Sequence, residues 1–318
     1  METDVEPAMD PRLLASILGK KTELDRQRPL GTSITRKLNE QFTIEWTYNS
    51  NAIEGNTLSL QETELVLSRG LTIGNKSLKE HFEVINHGQA IEFLAGYIEK
   101  KQTLDENFIL ELHSYILKNI DDDEAGHYRN VSVRILGAVH LPPNPAKIPE
   151  MMKEFLSWFY AKQHTLSVPI LAALVHYYFV YIHPFIDGNG RTARLLMNLV
   201  LIQNGFPPAV ILNLDRKKYY RVLRKADQGD LEDFVNFVGK AIERSLVIYL
   251  NTLSPANEGS GGQGYISLNE ATKYCEYSLE YLSFLARTGK LPAVKFSRNW
   301  MTTRDAVESY VKEVKRNG

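Results

Sequence analysis

Fifteen residues from Val168 to Ile182 contain no Asp, Glu, Lys or Arg, and only His176 interrupts their apolar character. A helix over this run is too short to cross a bilayer, which takes roughly 20 apolar residues. It is apolar on every side, so it has to be buried in a folded core, with His176 as a core histidine. The run ends at His183-Pro184, because proline cannot continue a helix. After the glycine-rich stretch that follows, Leu195, Leu196, Leu199 and Val200 resume a helical stripe, which stops at Asn204-Gly205, a glycine C-cap. The chain must therefore build itself around a buried helix, a glycine-rich loop and the start of a second helix.

The rest is mostly helical in pattern. Ile34–Tyr48, Leu60–Leu67, Lys79–Glu99, Glu106–Ile120, Met151–Tyr160 and Leu231–Leu250 space apolar residues by three and four. Ser59-Leu60-Gln61-Glu62 has the form of a capping box. Asn130 to Leu141 differs: it alternates, is β-branched and ends in Pro142-Pro143-Asn144-Pro145. It predicts a short β-hairpin lying against the helices, either a surface ornament or an edge for an extended peptide. Asp121-Asp122-Asp123-Glu124 reads as a solvated acidic loop.

Ser254 to Gly264 is Gly/Ser-rich and reads as a linker. The expected organisation is a helical region over 1–105, a core over 106–253, the linker at 254–264 and a small domain over 265–318. Composition narrows the function classes. With 37 Lys and Arg against 38 Asp and Glu, the net charge of −1 argues against a chain-wide polyanion-binding surface. A single cysteine, Cys275, excludes an internal disulfide and a thiolate metal cage. The acidic opening METDVEPAMDPR holds no apolar segment, so a cytoplasmic location without membrane contact is expected.

The chemistry concentrates in His183-Pro184-Phe185-Ile186-Asp187-Gly188-Asn189-Gly190-Arg191-Thr192-Ala193-Arg194. A glycine loop opening a helix presents free amides and the positive end of the helix dipole, which suits phosphate. Gly188 and Gly190 allow close backbone approach. Arg191 and Arg194, three apart, can grip phosphate oxygens from one helix face. Asp187 is a hard oxygen ligand placed where Mg²⁺ would bridge phosphates. His183 titrates near working pH, as a general base must.

This twelve-residue stretch resembles the active-site motif of the Fic family, and the resemblance covers roughly residues 30–250. It implies a mainly α fold, a Fic-type helical bundle with a small β-hairpin flap; residues 265–318 read as a short entry strand, helices and a small wing, and resemble the winged helix-turn-helix of excisionase-like DNA-binding modules. The Fic resemblance implies transfer of AMP from ATP to a Ser, Thr or Tyr hydroxyl of a target protein. His183 would deprotonate the hydroxyl and Asp187 would hold Mg²⁺. Gly188, Asn189 and Gly190 would form the anion hole, Arg191 would hold the β-phosphate region and Arg194 the γ-phosphate. Ser50-Asn51-Ala52-Ile53-Glu54-Gly55 is similar to the family's inhibitory motif. In that role Glu54, with Ser50, would engage Arg194 and occupy the γ-phosphate site. The alternative is that Glu54 orients a water for removal of AMP, making the chain a net de-AMPylase.

Gly126-His127-Tyr128-Arg129 with the hairpin after it resembles the family's target-docking flap, carried by Val133, Ile135, Leu136, Gly137, Ala138 and Val139. Tyr219-Tyr220 and the following Ala226-Asp227 resemble the region near the adenine, where aromatic faces suit stacking. Relatives often carry Asn where Asp227 stands. In residues 265–318, nine Lys and Arg against six Asp and Glu leave +3. Arg287, Lys290, Lys295 and Arg298 there suit DNA phosphates or a protein-docking module of the same shape. A nucleotide-sensing DNA-binding regulator is thus the competing reading. A homodimer and modification of the chain by itself stay open.

Overall fold

The structure, a computed structural model, describes residues 7–134, 140–253, 266–287, 290–296 and 299–317. The chain divides into two compact units, Met1–Leu246 and Val247–Gly318. No helix among the described residues is long and apolar enough to cross a membrane.

The first unit is helical. In chain order it contains α1 (Pro11–Arg26), α2 (Thr32–Glu54), α3 (Leu60–Arg69), α4 (Leu78–Glu99), α5 (Glu106–Leu117), α6 (Ile148–Lys162), α7 (Val168–Ile182), α8 (Asn189–Gln203) and α9 (Arg216–Ala226), with α10 (Glu232–Leu253) running past its boundary. Local chemistry sets many of the helix ends. The Asp10 carboxylate accepts from the amides of Arg12 and Leu13 to open α1 ahead of Pro11. The predicted box at α3 closes in both directions, with Ser59 N–H donating to Glu62 Oε2 at 2.7 Å and Glu62 N–H to Ser59 Oγ at 3.2 Å. Ser77 and Glu80 build the same box at α4. Gly55 stops α2 with φ 109°, a conformation that favours glycine.

α7 and α8 form the centre. Twelve of the fifteen residues in each are buried, so neither has a solvent face. They pack on each other; α2, α4 and α5 cover α8, and α6 covers α7. His176 sits fully buried within this layer, as its apolar flanks require.

Residues 50–54 are the last turn of α2, a helix C-terminus capped by Gly55, so Ser50 and Glu54 ride on that helix. Of the predicted hairpin, residues 130–134, 140 and 141 hold no strand. Val131 and Leu141 are exposed there, and only Val133 and His140 are half-buried. Ile135, Leu136, Gly137, Ala138 and Val139 lie outside the described residues.

The second unit contains β1 (Ile266–Ser267), α11 (Leu268–Ala271), α12 (Leu279–Arg287), β2 (Ala293–Phe296), β3 (Asn299–Thr302) and α13 (Arg304–Asn317). The strands make an antiparallel sheet in the order β1-β3-β2, with Ile266 opposite Thr302 and Lys295 opposite Trp300. Leu268, Leu282, Leu285, Leu291 and Val307 form its core, with Cys275 packed at the edge.

Leu199 on α8 is fully buried, whereas Leu18 on α1 is 43% exposed. Leu199→Ala should destabilise the first unit by about 3 kcal/mol through lost transfer energy and a cavity. Leu18→Ala should stay within about 0.5 kcal/mol. Hydrogen exchange of the α7 and α8 amides in urea reads this unit by itself.

Candidate active site

α7 cannot pass Pro184, and His183 caps it in the left-handed conformation, φ 52° and ψ 58°. For a non-glycine residue this costs roughly 1–2 kcal/mol, and the surroundings hold it. Its amide donates to Phe179 O at 3.0 Å. Its carbonyl accepts from Arg129 Nε at 2.8 Å. Its Nδ1 lies 3.3 Å from Val180 O, an acceptor, so Nδ1 carries the proton and Nε2 keeps its lone pair. Burial pushes the imidazole down to about 4, and the Arg129 charge acts in the same direction.

The loop after it is held by its own side chains. Asn189 Oδ1 accepts from Phe185 N–H at 2.9 Å, and its Nδ2 donates to Phe185 O at 2.8 Å. The Asn189 side chain is therefore committed to the loop, and only its backbone is available to an anion. Gly188 caps α8 at φ 78° without any side-chain acceptor. A Cβ there would lie 3.1 Å from both His113 Nε2 and Ile116 Cγ2, so glycine serves dihedral and space together. Asp187 Oδ1 accepts from the Gly188 amide at 2.6 Å and from Arg191 Nη2 at 3.3 Å. Burial raises the Asp187 carboxyl, but the Arg191 guanidinium and the amide outweigh it and hold it below the usual carboxylate range.

Arg194, only 2% exposed, is grasped by the end of α2. Its Nε donates to Ser50 Oγ at 3.0 Å, and its Nη2 to Ser50 O at 2.9 Å and to Glu54 Oε1 at 2.7 Å. Its Nη1 lies 3.5 Å from Tyr219 Oη. Burial opposes the Arg194 charge, and the Glu54 carboxylate more than restores it. The same carboxylate lies against the opening of α8, where a Cβ on Gly190 would collide with Glu54 Oε1 and come within 3.1 Å of Arg194 Nη1. Glu54 and Arg194 are 140 residues apart in sequence.

The structure thus brings His183, Asp187, Gly188, Asn189, Gly190, Arg191, Arg194, Ser50 and Glu54 to one end of the bundle. Tyr219 does not join them as an open ring. It is 2% exposed, with its hydroxyl 3.0 Å from His176 Nε2 and its ring against Phe237, so it supports Arg194 from below. Two adjacent tyrosines on α9 must point about 100° apart, and sequence alone does not say which faces inward. Tyr220 is the half-buried one, with the Arg216 guanidinium 5.0 Å over its ring. Asp227 lies 3.5 Å from Tyr177 Oη. Val133 is half-buried.

Sequence reasoning missed four groups. Glu83 on α4 places Oε1 3.8 Å from Arg191 Nη1, so Arg191 stands between two carboxylates. His113 on α5 stacks on Phe185 at 3.6 Å, accepts from the Gly126 amide and donates to Asp187 O, both at 3.0 Å. His87 is wholly buried beside these arginines. Arg129 stood in a noticed motif, but nothing in the sequence marked it as buried. These side chains sit on helices whose patterns show only that they are amphipathic; their facing residues come from distant elements.

The Fic/DOC family profile matches residues 103–201, which include α7, the loop and most of α8. The chain belongs to the Fic/DOC family. It is 32% identical to a Fic domain containing signaling protein from Bacteroides thetaiotaomicron, with a TM-score of 0.69 over 76% of this chain and 97% of that one. It is 35% identical to Fic-1 (residues 134–508) from C. elegans, with a TM-score of 0.71 over 76% of this chain and 72% of that one. It is 36% identical over 248 residues to a protein from Drosophila willistoni named Protein adenylyltransferase Fic, covering 78% of this chain and 49% of the relative. The chain spans about half the length of the curated relatives it matches.

Burial holds His113 and His183 at about 4 and His176 at about 3, and pushes His87 well down. Below the unfolded value near 6.5 the unfolded chain therefore binds more protons, and stability is lost as pH falls toward 4. At pH 5 unfolding should take up about four protons at these histidines. Glu45, raised by burial to about 6, returns part of one. Calorimetric unfolding in buffers of different ionisation enthalpy measures the sum, and net uptake near zero would contradict the neutral, buried histidines.

Proposed function

We propose that the chain transfers AMP from ATP to a hydroxyl side chain of a protein, and that Glu54 restrains the reaction. The observation that carries this reading is the Glu54 carboxylate lying on both Arg194 and the uncapped start of α8. A helix N-terminus beside a buried guanidinium selects an anion, and a carboxylate in that position competes with a phosphate for the same donors.

In the reaction, the target hydroxyl oxygen bonds to the α-phosphorus, the bond to the α–β bridging oxygen breaks and pyrophosphate leaves. His183 Nε2 takes the hydroxyl proton, while its Nδ1–H stays on Val180 O. A neutral imidazole is ready to accept at pH 7, and bound phosphates raise its basicity by favouring the cation. The first amides of α8 with Arg191 and Arg194 hold the triphosphate in line, so the chain acts mainly by positioning and charge neutralisation. Tyr220 and the Arg216 guanidinium stacked on it flank the end of α2 at the same rim.

Asp187 fits a Mg²⁺ shared with phosphates. Its side chain is half exposed, ionised and beside the anion loop. Among the described residues no group of three or more His, Cys, Asp or Glu forms a self-sufficient metal cage, as suits an ion that takes its remaining ligands from substrate and water. When bound there, Mg²⁺ supplies charge neutralisation for the leaving pyrophosphate.

Intact-mass spectrometry after incubation with ATP and Mg²⁺ tests the reading. Glu54→Gly should gain AMP faster than the parent by at least about tenfold, the cost of one competing charge-assisted contact. Glu54→Gly/His183→Ala should gain none. Equal labelling in both variants would remove His183 as the base, and equal labelling in the parent and Glu54→Gly would remove Glu54 as the restraint.

A further inference from the structure

Arg129 is 2% exposed, and among the described residues no carboxylate pairs with it. A buried guanidinium without an anion is costly unless its donors are all placed. Here three of the five N–H donors go to backbone carbonyls. Nε donates to His183 O at 2.8 Å, Nη1 to Val131 O at 2.9 Å and Nη2 to Pro143 O at 2.7 Å. The Arg129 amide adds a bond to Pro184 O at 2.9 Å. Side chain and backbone of one residue therefore bind two successive carbonyls at the point where α7 ends.

That point decides where the base is. With φ 52°, His183 reverses the chain direction at the end of α7. Its backbone dihedrals set the carbonyl orientation and the position from which Cβ starts; the side-chain torsions then aim the imidazole, which its Nδ1 contact with Val180 O holds. A planar fork with fixed donor angles can hold that carbonyl while bridging to Val131 and Pro143; a single ammonium cannot meet three acceptors in those directions.

We propose that Arg129 is a positioning residue for the reaction. By fixing the His183 carbonyl it keeps the imidazole in the Nδ1–H form with Nε2 toward the attacking hydroxyl. It touches neither nucleotide nor target. The proposal rests on the AMP-transfer reading above for its kinetic part, and on geometry alone for its effect on His183.

The test uses the full chain in the Glu54→Gly background, with Arg129→Lys and Arg129→Met. Three quantities are read: affinity for the Mg²⁺ complex of a non-hydrolysable ATP analogue by calorimetry, the rate of self-modification by intact mass, and the His183 tautomer by ¹⁵N–¹H correlation, assigned with His183→Ala. Affinity should stay within about twofold in both variants, since the phosphate loop is untouched. The rate should fall about 100-fold in Arg129→Met, the effect of displacing a reacting group by about an ångström, and less in Arg129→Lys. The single Nδ1–H tautomer should give way to a mixture in Arg129→Met.

A rate within twofold of the parent, or an affinity loss that matches the rate loss, overturns the proposal. If the parent transfers no AMP, the AMP-transfer reading fails by itself; an unchanged His183 tautomer in Arg129→Met still overturns the positioning role, and a changed one sustains it. If Arg129→Met does not fold, Arg129→Lys decides by the same criteria.

Discussion

Gly188 caps α8 in a left-handed conformation and offers no side-chain acceptor, so the first amides of a buried helix meet whatever lies outside it. The arrangement around the site answers that unmet demand for negative charge. Glu54 meets it within the chain, and Arg194 enlarges it by placing a buried guanidinium beside the same opening. Gly188 serves the turn, and a Cβ on Gly190 would push the Glu54 carboxylate from its place on Arg194.

At Asp187 and Arg194 pairing outweighs burial, whereas burial decides the state of the histidines. Arg191 has carboxylates on two sides, Arg194 has one together with Ser50, and Arg129 has only carbonyls. The nearby histidines respond by staying neutral, because another charge in this layer would be desolvated beside existing cations. Neutral histidines can then accept and donate at once. His113 does so between the Gly126 amide and the Asp187 carbonyl, and His183 keeps Nε2 open as an acceptor.

The end of α2 is held as firmly as the loop it faces. Arg216 Nε donates to the Ile53 carbonyl at 2.6 Å, a cation at a helix C-terminus. Asn49 Oδ1 accepts from the Asn213 amide at 2.9 Å on the same helix. Glu54 is thereby carried to Arg194 by a helix that is anchored on both sides of its last turns, which gives the ion pair a fixed geometry rather than that of a mobile surface pair.

Much of this was legible in the sequence, for a physical reason in each case. The buried α7 followed from an uncharged run, the helix break from Pro184, the cap of α3 from Ser59 and Glu62, and the glycine-opened start of α8 from Gly188 and Gly190. These are local effects, decided by neighbours along the chain. What only the tertiary structure decided is which distant groups meet. It buried Tyr219 and left Tyr220 at the rim, brought Ser50 and Glu54 against Arg194, and aimed Arg129 at the His183 carbonyl from 54 residues away. Helical periodicity fixes the face a residue occupies but not the element that covers it. Packing sets that, and packing is a property of the whole bundle.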